Sequence, residues 1–113
     1  MSLTIHRTQQ NGSQIVRAEG RVDSSNAAEF EAAALAALED GGGALVFDLG
    51  ELVYMSSAGL RVLLVALKAS KAKGAPVGLA GVQENVATVL KISGFGAMFT
   101  VADDVDQTLA AIG

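Results

Sequence analysis

Two adjacent serines, Ser56 and Ser57, are the residues best placed for chemistry, because of what stands on either side of them. Upstream, Ala44-Leu45-Val46-Phe47-Asp48-Leu49 is a nearly unbroken apolar run, the pattern of a strand buried on both faces. Downstream, Leu60, Leu63, Leu64 and Leu67 recur at the i, i+3, i+4, i+7 spacing of a helix with one buried face. That spacing predicts a helix from about Ala58 to Lys73. A strand that ends and a helix that begins leave a turn between them, and Ser56 or Ser57 is the natural N-cap. The first N–H groups of a helix lack internal partners and carry the positive end of its dipole. A hydroxyl at that point faces outward, where added negative charge is tolerated. Ser57 is therefore a candidate acceptor for a phosphate, with Ser56 the alternative. The plainer reading of Ser57 is a cap worth about 1 kcal/mol to the helix. Gly59 costs ~1 kcal/mol relative to Ala inside a helix, so its place in the first turn needs a reason. Close approach by a partner's backbone is one, and a tight turn against the sheet is the other.

Other chemistry finds less support. Strand–turn–Ser–helix is also the layout of a hydrolase nucleophile elbow, and Ser57-Ala58-Gly59 supplies half of Gly-x-Ser-x-Gly, but position 55 is Met. The one histidine, His6, lies in an N-terminal strand, outside the Ser–acid–His order of that fold. Metal ligands are scarce: there is no cysteine, and Asp103, Asp104 and Asp106 read as a helix cap. Gly41-Gly42-Gly43 and Gly94-Phe95-Gly96 lack the Lys-Ser/Thr of a phosphate-binding loop. The expectation is a binding module rather than an enzyme, with no cofactor and no metal.

Composition sets the frame. The 113 residues are half hydrophobic and 18% charged, which suits one globular domain spanning 1–113. A net charge of -4 repels nucleic acid, and the sequence shows no basic cluster to offset it. Met1 to Arg7 lacks the apolar core of a signal peptide, and no run approaches the ~20 residues needed to cross a bilayer. With no cysteine, the expectation is a free-standing cytoplasmic domain without membrane insertion.

The elements that must position the serines read in order. Leu3 to Arg7 is a short edge strand, and Asn11-Gly12 is a hairpin-turn signal. From Ile15 to Val22 the alternation sets Val16, Ala18, Gly20 and Val22 on one face and Ile15, Arg17, Glu19 and Arg21 on the other, charged one. Asp23-Ser24-Ser25-Asn26 opens a helix, with Glu29 at capping-box spacing from Asn26 and Phe30, Ala34 and Leu38 in its buried stripe. Three glycines, 41–43, stop it. Lys68, Lys71 and Lys73 complement the end of the central helix. A strand at 77–80, a helix at 84–93, a strand at 98–101 and a final helix capped by Asp103, with Val105, Leu109 and Ile112 on one face, complete the chain. A hairpin followed by strands alternating with about four helices predicts an α/β sandwich on a mixed, mostly parallel sheet.

Met55-Ser56-Ser57-Ala58-Gly59-Leu60-Arg61, opened by Leu45-Val46-Phe47-Asp48-Leu49, resembles the core motif of the STAS domain, in particular that of bacterial anti-sigma factor antagonists. Gly20-Arg21-Val22-Asp23 resembles the family's Gly-x-Leu/Val-Asp segment. Many members carry Asp just before the phosphorylated serine, where this chain has Ser56. The resemblance implies a STAS-type sandwich and a partner-facing surface at Asp23, Ser56, Ser57, Ala58, Gly59, Leu60 and Arg61. It implies a phosphorylation-switched antagonist that captures an anti-sigma factor serine kinase when Ser57 is unphosphorylated and so frees a sigma factor for transcription. The kinase, not this chain, would bind ATP, and a metal-dependent phosphatase would reverse the step. Within the same fold, the alternative is a STAS subunit of a lipid-transport ABC complex.

Overall fold

The computed structural model describes residues 3–41 and 43–112. Asn11 and Gly12 both take positive φ, 54° and 81°, and fold β1 (Leu3–Gln10) back on β2 (Ser13–Val22) in antiparallel register from Gln10↔Ser13 to Leu3↔Gly20. A helix, α1 (Ala27–Asp40), leads to β3 (Leu45–Asp48), and a short turn leads to β4 (Leu52–Met55). The long helix α2 (Ser57–Lys73) and β5 (Val77–Ala80) follow, then α3 (Glu84–Ser93), a 3-10 turn (Gly96–Met98), β6 (Thr100–Ala102) and α4 (Val105–Ile112).

The sheet runs β1-β2-β3-β5-β6 and every pairing after the hairpin is parallel, as the intervening helices require. β2 is long enough to serve two partners on the same edge. Residues 14–17 pair with β3, and residues 20–22 pair with β4. Helices cover both faces, which makes the expected α/β sandwich. On one face Val16, Ala18, Val22, Leu45, Phe47 and Leu79 meet the buried sides of α1, α2 and α3. On the other, Ile15, Val46 and Ala80 meet Val105, Leu109 and Ile112 of α4. β3 is thus buried on both sides, and Phe47 sets its ring edge-on to Phe30 of α1, with centroids 5.5 Å apart.

Several local expectations need correction. The segment between β3 and α2 is not a simple turn but holds β4, whose Leu-Val-Tyr-Met is buried at its two ends and exposed between them, without the alternation of a strand. The last strand begins two residues late, because residues 96–98 close into the 3-10 turn. Asn26 makes no capping box with Glu29. Its side chain instead accepts from the Asp23 N–H at 2.9 Å and donates to the Arg21 carbonyl at 2.9 Å, tying the loop back to β2. Asp104, rather than Asp103, caps α4 by accepting from the Gln107 N–H at 2.8 Å. Ile15 lies on the face expected to be wet, yet α4 buries it. Of the three glycines expected to stop α1, Gly42 lies outside the described residues.

Candidate functional site

The two serines divide the work at the start of α2. Ser56 is the N-cap: its backbone is extended, and its hydroxyl oxygen accepts from the Ala58 N–H at 3.2 Å. Its own N–H donates to the Val22 carbonyl at 2.9 Å, which fixes the helix mouth to the end of β2. Ser57 is therefore the first helical residue and not the cap, contrary to the plainer expectation. It is exposed, and its hydroxyl has no hydrogen-bond partner among the described residues.

Gly59 shows why the helix sits so close to the sheet. The residue is buried, and a Cβ there would run into Met55 Cγ and lie 3.0 Å from Val22 Cγ1. Of the two reasons open for this glycine, the tight turn against the sheet is the one the structure displays. Leu60 is likewise buried in the main core. These two residues seat the helix start, while Ser57 and Arg61 are exposed and Ser56 and Ala58 half-buried on the outer side.

Ser57, Ala58, Arg61 and Val62 of α2 face Ser24, Ala27, Ala28 and Glu31 across a groove of about 460 Å³ between the starts of α1 and α2. Glu31 is the carboxylate that lines it. Asp23, which the resemblance sets on the partner-facing surface, does not line this groove, although it adjoins Ser24. Asp23 is bound up in its own loop, where its carboxylate accepts from the Ser25 hydroxyl at 2.5 Å and the Ser25 N–H at 2.9 Å. The Ser25 hydroxyl, then the Ser25 N–H, hold the Asp23 carboxyl below its ordinary value. Arg61 forms no ion pair among the described residues.

Beside the helix mouth lies a feature that sequence periodicity missed. Gly20, with φ 104°, pairs with Leu52 while Arg21 pairs with Tyr54, so Val53 is the extra residue of a bulge in β4. The bulge buries both Leu52 and Met55 and turns Val53 and Tyr54 outward. The Arg21 guanidinium then stacks over the Tyr54 ring, 4.2 Å from its centroid. The Gly20-Arg21 doublet and the aromatic at 54 were visible signals, but nothing local joins them.

The histidine stands apart from all of this. His6 is on the α4 side of the sheet, facing a groove shared with Arg17, Asp48 and Val105, and its Nε2 lies 3.7 Å from Glu19. No histidine lines the Ser57 groove, so the nucleophile-elbow arrangement does not form. Among the described residues no helix is long and apolar enough to cross a membrane.

Comparison with known proteins fits this geometry. The chain is 37% identical over 111 residues to BtrV of Bordetella bronchiseptica, named as an anti-sigma factor antagonist, covering 98% of this chain and 94% of BtrV. An anti-sigma factor antagonist from Mycobacterium paratuberculosis superposes with a TM-score of 0.89 at 22% identity, covering 98% of this chain and 94% of that one. The unphosphorylated form of the anti-sigma factor antagonist SpoIIAA superposes with a TM-score of 0.79 at 17% identity over 96% of each chain. The Bacillus protein is also known in a phosphorylated form, which superposes at 0.73 with 15% identity over 97% of this chain and all of that one. The STAS domain family model matches residues 4–108, and with a hairpin, parallel sheet and serine-headed α2 in place, the chain belongs to the STAS domain family.

Proposed function

We propose that this chain is an anti-sigma factor antagonist, a binding module without enzymatic activity of its own, whose hold on a serine-kinase anti-sigma factor is switched off by phosphorylation of Ser57. What carries this reading is the Ser57 hydroxyl, exposed and without a partner among the described residues at the first turn of α2 because Ser56 has taken the cap. The kinship with BtrV supports it. So does the existence of SpoIIAA in both an unphosphorylated and a phosphorylated form.

The energetics favour a switch by contact rather than by refolding. A phosphate adds about -1.5 to -2 charges, and helix N–H groups stabilise it by only ~0.3–1 kcal/mol. That is too little to rebuild the fold around α2. A partner seated on the serine must strip water from the dianion, at several kcal/mol unless it brings cations. A penalty of about 3 kcal/mol weakens binding roughly a hundredfold. The Glu31 carboxylate in the same groove adds to the repulsion. Contact falls to Ser56, Ser57, Ala58 and Arg61 with Asp23 at the rim, while Gly59 and Leu60 hold the helix in place. ATP belongs to the kinase, a phosphatase restores the hydroxyl, and the exchange takes place in the cytoplasm.

The test compares Ser57→Ala with Ser57→Asp for affinity to the kinase, alongside circular dichroism. The Asp variant should bind at least about a hundredfold more weakly with an unchanged spectrum. Equal affinities would remove the switch, and unfolding of the Asp variant would replace contact repulsion with a conformational mechanism. Intact mass and site mapping after incubation with the kinase and ATP should place the phosphate on Ser57; a phosphate on Ser56 alone would overturn the assignment.

A further inference from the structure

The chain is acidic overall, yet its charge is unevenly distributed. Residues 52–102 contain Arg61, Lys68, Lys71, Lys73 and Lys91 against a single carboxylate, Glu84, while the whole chain stands at -4. Exposed apolar side chains collect in the same half: Ile92 is 82% exposed, Phe95 36%, Met98 47% and Val101 51%. They recur every third residue from the end of α3 through the 3-10 turn to β6. Between that turn and the outer side of α2 lies a groove of about 310 Å³, lined by Leu64, Leu67, Lys68, Lys71, Phe95 and Met98. Neither Lys68 nor Lys71 has an ion-pair or hydrogen-bond partner among the described residues. The sequence alone gave no sign of a basic patch, because the lysines read as helix-end charges and the apolar wall comes from a segment more than twenty residues away.

We infer that this groove is a second docking site, made for an amphipathic helix of a protein partner that carries Asp or Glu beside an apolar stripe. The apolar floor takes helix side chains at i, i+3 or i+4, the usual anchors of a helix in a groove. Lys68 and Lys71 are one turn apart on α2 and meet carboxylates at matching spacing on the partner. A second copy in a two-fold dimer is the wrong occupant, since it would bring the same basic patch from both copies into one interface. A bilayer is also the wrong shape, because Leu67 at the floor is buried and out of reach of a flat surface. Leu64 and Lys68 lie seven and eleven residues beyond Ser57 on α2, roughly 10 and 16 Å along the helix axis. A helix that crosses α2 at this level, rather than lying along it, leaves the serine uncovered, so the contact is indifferent to its phosphorylation.

The full chain, labelled with nitrogen-15 and with carbon-13 at its methionine methyls, is titrated with a designed helical peptide of about 18 residues bearing a leucine stripe flanked by glutamates. A second peptide has lysine in place of every glutamate, and a third probe is vesicles of phosphatidylglycerol and phosphatidylcholine. The glutamate peptide should shift Lys68, Lys71, Phe95 and Met98 saturably, leave the Ser57 amide in place, and bind about tenfold or more tightly than the lysine peptide. Lys68→Glu with Lys71→Glu should reverse that preference. Met98→Gln should weaken the glutamate peptide with both lysines intact and the far-UV spectrum unchanged, and Ser57→Asp should leave its affinity as it was. Failure of both peptides to bind, or equal binding by the two, would overturn the inference. So would vesicles alone shifting these residues, or shifts in the unliganded chain that grow with its concentration, the one marking a lipid surface and the other self-association.

Discussion

At the scale of single residues, the site depends on which of two neighbouring hydroxyls is occupied. Ser56 spends its oxygen on the Ala58 N–H, and Ser57 keeps its own free of any partner among the described residues. Ser56→Ala should therefore cost about 1 kcal/mol in urea denaturation. Ser57→Ala should stay within about 0.5 kcal/mol, since no bond is lost. Asp23 offers a test by titration. Its folded-state pKa lies below the unfolded one, so the ionised carboxylate favours the folded chain above the unfolded pKa, and that contribution fades as pH falls through the folded value. Ser25→Ala removes the largest of the causes, the hydroxyl bond, and should move the Asp23 carboxyl back up toward 3.8 in a carbon-13 NMR titration. The sequence placed both serines at a helix mouth. It left the division of labour open, because two adjacent hydroxyls both satisfy the cap pattern and only backbone dihedrals separate them.

At the scale of elements, the seat of α2 is set by what a glycine permits. Ala favours a helix over Gly by ~1 kcal/mol, yet at position 59 the added methyl collides with Met55 and crowds Val22. Overpacking of this kind typically costs about 1–3 kcal/mol, so Gly59→Ala should be destabilising in urea denaturation despite its better propensity. All four helices were legible because their apolar residues repeat at helical spacing. β4 was not. Its bulge buries the first and fourth residues of Leu52–Met55 and exposes the middle two, which breaks the period of two on which a strand is recognised. The 3-10 turn at 96–98 was missed for a related reason: one turn is too short to show a period at all.

At the scale of the whole molecule, the sheet separates two cores of unequal size. Phe47 occupies the larger one, fully buried against Phe30 of α1. Phe47→Ala should cost about 3–5 kcal/mol, measured by urea denaturation, because the cavity lies where three helices meet the sheet. The same layering separates the chemistry. His6 and its charged neighbours face α4, while Ser57, Arg61 and Glu31 lie among the helices of the other layer. A serine and a histidine in one short chain thus stay on opposite sides of a sheet, which the order of residues along the chain suggested but strand pairing enforces.

The amino-acid sequence by itself determined the helices and their buried faces, every strand but β4, the hairpin at Asn11-Gly12 and a serine at the head of the central helix. These are local matters: side-chain period, cap chemistry and turn preference act over a few neighbouring residues. Tertiary structure alone decided which hydroxyl stays free, that Glu31 faces it, that Arg21 finds Tyr54, and that Lys68 and Lys71 share a groove with Phe95 and Met98. Those pairs are brought together by the order of strands in the sheet and the packing of helices upon it, and no pattern among adjacent residues encodes who will meet across that distance.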